Sequence, residues 1–133
     1  MEIKARRIYI TACILGTISI IVLALAAHAL KNKLSADQLD SVKTAGQIQL
    51  FHSILIVAMT LNIRMEAFTR IKRALYFMLA GTACFSFSIY LLNSKEFPGM
   101  DFLRFLWPLT PAGGILLIVS WLLLIPAHRE ANL

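Results

Sequence analysis

The chain has 133 residues, enough for one domain, and 59 % of them are hydrophobic, with a mean hydropathy of +0.74. Its 13 Lys and Arg and 7 Asp and Glu give a formal charge of +6, yet none of them falls within residues 8–30, 45–63, 74–92 or 109–127. Each of these windows reaches the roughly 18 uncharged, mostly apolar residues that mark a membrane-crossing helix, which excludes a soluble enzyme, a disordered tail, a disulfide-stapled secreted domain and a nucleic-acid binder.

The expected fold is therefore an all-α membrane protein, a four-transmembrane-helix bundle with short interfacial segments that forms a single domain over residues 1–133. Lys4, Arg6 and Arg7 precede the first apolar run, and Ala27-His28-Ala29 resembles a signal-cleavage site. The run of 23 residues exceeds the 7 to 15 of a secretory core, so the first helix is expected to be retained. Ser35 followed by Gln38 is a capping box, and Leu34 with Leu39 can close a hydrophobic staple around it. A helix from Ser35 to Ile63 is about 42 Å long, more than the roughly 30 Å of hydrocarbon, and Gly46 is the natural place for a bend. The stretch Arg64 to Arg73 reads as a short basic loop. Pro98-Gly99 signals a turn, and Phe102, Phe105, Leu106 and Trp107 beside Arg104 suit the headgroup level. Pro108 and Pro111 bracket the start of the last helix, where proline is tolerated, and Pro126 is expected to close it.

Basic residues number eight beside the termini and the middle loop and five in the other two loops. This bias places both termini in the cytoplasm, with a multi-pass chain in the cell (inner) membrane. The excess of positive charge then serves orientation and attraction to headgroups, so the expected partner is the lipid bilayer, with a membrane protein or a second copy as a further possibility and no nucleic acid. Cys13 and Cys84 lie inside spans with no second cysteine nearby and read as small packing residues.

The spans hold no Asp, Glu, Lys or Arg, so the usual devices for coupling transport to ions or protons are missing. Their polar residues share one leaflet. Counting about 1.5 Å per residue from each span's centre puts Gln49, His52, Ser86, Ser88 and Tyr90 roughly 3 to 10 Å outward. His28 and Thr110 lie roughly 12 to 13 Å outward on the same count. These seven residues form the candidate polar cluster. It reads first as interhelical hydrogen bonding, because an unpaired amide or imidazole in hydrocarbon costs several kcal/mol. It reads second as a small pocket for a lipid headgroup or small solute. Only His28 and His52 could bind metal within the spans, too few for a site, and Ser86 or Ser88 near His52 lacks an acid to orient the imidazole. No cofactor, metal or catalytic residue is assigned.

Small residues mark the packing faces: Ala12 with Gly16 in the first span, and Ala80, Cys84 and Ser88 in the third. Gly113 and Gly114 at the start of the fourth helix cost stability, about 1 kcal/mol each relative to alanine. A close neighbour or an opened first turn is the expected compensation. The function expected from the residues is a small non-enzymatic membrane protein, structural or accessory, with the polar cluster joining its helices. The alternative is a binding or transport module for a lipid headgroup or small solute.

Four segments carry a resemblance: Leu25-Ala26-Ala27-His28-Ala29-Leu30, residues 44–52 ending in Gln49-Leu50-Phe51-His52, residues 85–92 beginning Phe85-Ser86-Phe87-Ser88, and residues 108–114 from Pro108 to Gly114. In order and spacing they resemble the family known as domain of unknown function 423, which includes the transmembrane protein 256 type. The chain departs from that pattern at Ala26-Ala27-His28, where the family usually reads Gly-Ala-His, at Ile48 for Tyr, and at Phe87 for Gly. The resemblance implies a four-helix inner-membrane protein of bacterial type, or a mitochondrial relative, and supplies no reaction.

Overall fold

The computed structural model describes residues 3–62, 65–94 and 101–129. The described chain is all-helical: α1 (Ile3–Ala27), α2 (Ala36–Asn62), α3 (Met65–Ser94), a 3₁₀ helix (Asp101–Leu106) and α4 (Leu109–Arg129). Among the described residues three helices are long and apolar enough to cross a membrane, through Ile3–Ala27, Ala36–Asn62 and Ile71–Ser94. The apolar part of α4, Leu109–Ile125, is shorter.

Local signals explain where the helices start and stop. The Ser35 amide donates to Gln38 Oε1 at 2.8 Å and the Gln38 amide to Ser35 Oγ at 3.3 Å, so the capping box forms and α2 begins one residue later. The helix runs unbroken through Gly46. α1 ends at Ala27, and the Leu30 amide reaches back to Leu25 O at 2.8 Å, a six-to-one bond that satisfies a terminal carbonyl. His28 thus lies beyond the helix. Pro108 O accepts from the Ala112 amide at 3.3 Å, opening α4 with Pro111 in a first turn that needs no intrahelical donor.

Two boundaries differ from the sequence reading. The basic stretch before residue 74 is helical from Met65, because Arg, Lys and Glu are good helix formers and Phe68, Ile71 and Leu75 recur at helical spacing on a buried face. Pro126 does not close α4, which continues to Arg129. Proline obstructs the turn before it, and the residues after it remain free to stay helical. The Pro98-Gly99 turn lies outside the described residues.

α1 packs along α2, α2 along α3 and α3 along α4, while α1 touches α3 near their N-termini. α1 and α4 make at most marginal contact, so the helices form a row folded at α1 rather than a closed square. The seam between α3 and α4 is set by glycine. A Cβ on Gly113 would stand 2.4 Å from Phe85 N, and one on Gly81 would stand 2.9 Å from Leu117 N, so the two backbones lie against each other. Gly114 faces open space apart from Phe85 Cδ2 at 4.0 Å, and the first turn of α4 is regular. The expected close neighbour is therefore at Gly113 and not at Gly114. The small stripe of α3 holds at Ser88, which is buried against α4, but not at Ala80, which is exposed; Gly81 and Phe85 make the close approach to α4 instead. Ala12 is fully buried, and Gly16 meets Ser53 Cβ at 3.4 Å, as the first span's stripe implied.

The distribution of side chains is the reverse of a water-soluble protein. Ile14, Phe51, Ile54, Ile115, Ile118 and Leu122 are more than half exposed, while Ser19, Gln49, Ser53, Thr82, Ser86 and Ser88 are buried. In water the exposed set would be a large sticky surface. In hydrocarbon it is the favourable outside, and small or polar residues let helices approach and bond.

Candidate functional site

Gln49 is the centre of the buried polar residues. It sits on α2 with no exposed surface, donates through Nε2 to Leu15 O of α1 at 2.7 Å and accepts through Oε1 from Tyr90 Oη of α3 at 2.8 Å. One side chain thereby joins three helices. Its own carbonyl accepts from Ser53 Oγ at 2.7 Å. One turn earlier on α2, Ser19 Oγ donates to Gly46 O at 2.8 Å and Ser86 Oγ to Ala45 O at 3.0 Å, so two neighbouring carbonyls bind α1 and α3. Phe87 meets the Tyr90 ring edge-on, with centroids 6.0 Å apart, and helps to fix the phenol.

Ser88 belongs elsewhere. Residues two apart on a helix point to nearly opposite sides, so Ser86 faces α2 while Ser88 faces α4. Ser88 Oγ donates to Phe85 O at 2.9 Å and stands 2.7 Å from Thr110 Oγ1. A hydroxyl has one proton, so Thr110 is the donor of that pair. The bond lies one turn from the Phe85–Gly113 approach, on the same seam.

His52 is half-buried and points toward α4. Its Nδ1 is 2.8 Å from Ile48 O, and Trp121 Nε1 donates to its Nε2 at 3.3 Å. A carbonyl only accepts and an indole N–H only donates. The ring is therefore the neutral tautomer protonated at Nδ1. The rings meet edge-on at 6.3 Å. His28 is exposed and its side chain makes no hydrogen bond among the described residues.

The seven sequence-selected residues thus separate into four places. Gln49, Tyr90 and Ser86 share the α1–α2–α3 interior, Ser88 and Thr110 the α3–α4 seam, and His52 a bridge from α2 to α4, while His28 is apart from all of them. Sequence reading missed Ser19 and Thr82 as buried polar groups and Trp121 as the partner of His52. The signal for Ser19 was available: it continues the Ala12, Leu15 stripe at helical spacing. Thr82 is fully buried and its Oγ1 has no hydrogen-bond partner among the described residues.

Among the described residues, His52 makes no hydrogen bond to Ser86 or Ser88, which give their protons to backbone carbonyls. Among the described residues no three His, Cys, Asp or Glu side chains converge to hold a metal. A cavity of about 100 Å³ adjoins Tyr90 at the far end of α3. Its walls are mainly Val22, Leu25, Leu30, Leu34 and Val42, and its polar members are already used: Tyr90 donates to Gln49, Asn93 to Ile89 O and Ser94 to Tyr90 O.

Residues 22–114, more than half of the chain, match the family described as protein of unknown function DUF423. The chain belongs to this family. It is 31 % identical over 102 residues to a UPF0382 membrane protein of Staphylococcus saprophyticus, covering 77 % of this chain and 79 % of the relative. It is 29 % identical over 105 residues to the UPF0382 membrane protein YwdK of Bacillus subtilis, covering 78 % and 80 %. The match to the UPF0382 inner membrane protein YgdD of Escherichia coli is 28 % over 122 residues, covering 91 % and 88 %. No solved structure matches. With these relatives and three helices able to cross a bilayer, the chain is an inner-membrane protein of a family without an assigned activity. Ala26 and Phe87 stand where the resemblance implies glycine; Ala26 is fully buried in α1 and the Phe87 ring meets Tyr90 edge-on.

Proposed function

We propose that the protein is a four-span, non-enzymatic structural or accessory component of the membrane, with both termini in the cytoplasm, whose buried polar side chains lock the helices in register. The observation that carries this reading is Gln49. A fully buried amide that bonds α1 and α3 at once resists separation of any of the three helices. Four crossings are supported by the α3–α4 seam: Gly81 meets Gly113 and Ser88 meets Thr110, so α4 lies antiparallel beside α3, at the same depth. With Ala127 included, its uncharged window runs from residue 109 to 127, about 28 Å of helix.

The alternative, a binding or transport module for a lipid headgroup or small solute, needs free polar groups facing a void. The void beside Tyr90 offers an apolar wall and polar groups engaged with their own chain. Extraction of the purified protein with organic solvent, followed by mass spectrometry of the extract, separates the two readings. The structural reading expects bulk lipids alone, and a small solute at fixed stoichiometry would overturn it. Thiol tagging from each side, at Ser35→Cys and Thr69→Cys in a chain whose Cys13 and Cys84 are replaced by alanine, tests the topology. Labelling of position 35 from outside and 69 from inside is expected, and the reverse pattern overturns the orientation.

A further inference from the structure

Ala5 and Ile8 of α1 share one apolar cluster with Phe68, Ile71 and Leu75 of α3. This contact brings together, at one end of the molecule, two basic segments that are some sixty residues apart in sequence. Lys4, Arg6 and Arg7 are exposed within a turn of it on α1, and exposed Arg73 and half-buried Lys72 flank it on α3. Among the described residues none of the five makes an ion pair. In sequence the two segments also hold Arg64 and Arg70, against Glu2 and Glu66. The uncharged windows begin at residues 8 and 74, and half-buried Tyr9 with exposed Tyr76 marks the boundary where amphipathic rings settle. The cations therefore stand at headgroup depth. The opposite end differs: Lys31, Lys33 and Lys43 alternate with Asp37 and Asp40 along one stretch.

We propose that the α1–α3 end is a binding surface for anionic phospholipids, with Lys4, Arg6, Arg7, Lys72 and Arg73 holding the phosphate-bearing headgroups and the acyl chains lying along Ile10 and Ile14. A guanidinium matches two phosphate oxygens at once, and three of the five cations are arginines. Each Lys or Arg near a membrane surface adds about fivefold to attraction for anionic lipid. The surface is created by packing, since neither segment alone gathers all five charges.

The test is native mass spectrometry of delipidated protein in a neutral detergent, titrated with phosphatidylglycerol or with phosphatidylcholine. The wild type is expected to retain phosphatidylglycerol at least about tenfold more tightly, with a preference that shrinks as salt rises from about 0.05 to 0.5 M. Arg6→Gln with Arg7→Gln, and separately Lys72→Gln with Arg73→Gln, are each expected to cut the preference several-fold. Lys31→Gln, Lys33→Gln and Lys43→Gln together, at the opposite end, are expected to leave it. Absence of headgroup preference in the wild type overturns the proposal, as does an equal loss from both ends. Each pair variant is read beside its circular dichroism. If one pair loses helicity, the other pair and the opposite-end variant decide.

Discussion

Replacing Gln49 with leucine, which is similar in volume, removes the two interhelical bonds and leaves little cavity. Such bonds average about 0.6 kcal/mol each in membrane proteins, so Gln49→Leu is expected to lower stability by about 1.2 kcal/mol. The Leu15 carbonyl stays in its own helix, and half-buried Tyr90 lines a cavity, so neither adds a large penalty. Tyr90→Phe has the opposite asymmetry. It removes one bond, yet it strands Gln49 Oε1, which is fully buried, and an orphaned buried acceptor costs about 1–3 kcal/mol. The single-bond variant is thus expected to cost as much as the two-bond variant. In the double variant the stranded acceptor is gone, so its cost should fall short of the sum by about 1–3 kcal/mol. Reversible unfolding in mixed micelles, titrated with sodium dodecyl sulfate and followed by far-ultraviolet circular dichroism, measures all four corners of the cycle. Additivity within about 0.3 kcal/mol, or a Gln49→Leu variant as stable as the wild type, refutes the claim that this amide locks the helices.

Gly113→Ala drives a methyl to 2.4 Å from the Phe85 amide nitrogen, so the α3–α4 seam must open at a cost of about 1–3 kcal/mol; Gly114→Ala meets open space and is expected to gain up to about 1 kcal/mol, and the same micelle titration compares them. Thr82→Val keeps the shape and deletes an unpartnered buried hydroxyl, so stability should rise by up to about 1 kcal/mol; a loss would mean that Thr82 Oγ1 is bonded in the membrane. Nitrogen-15 spectra of histidine-labelled protein should show His52 with a protonated Nδ1 and a pyridine-like Nε2, and Trp121→Phe should shift the Nε2 signal alone; a protonated Nε2 refutes the bridge.

Much of the fold is legible in the sequence. The absence of charge from four windows located the apolar helices, because a charge in hydrocarbon is costly wherever the helix packs. Ser35 and Gln38 fixed the start of α2, because both partners of a capping box lie within one turn. The importance of Gln49 was legible too: an amide that deep must find partners. Which partners it finds was not legible, since Leu15 O is a backbone atom and carries no mark in the sequence.

An expected depth for the polar residues followed from counting along each span, which uses only the rise of a helix. Their division among separate seams did not, because it depends on the azimuth of each helix about its axis. That rotation is set by close contacts such as Gly113 against Phe85, which put Ser86 and Ser88 on opposite sides of α3. The sequence by itself determined which stretches form apolar helices, through the one-dimensional cost of burying charge in hydrocarbon. Tertiary structure alone decided which neighbour each side chain faces, because facing is a relation between two helices and is settled by the backbones that glycine allows to touch.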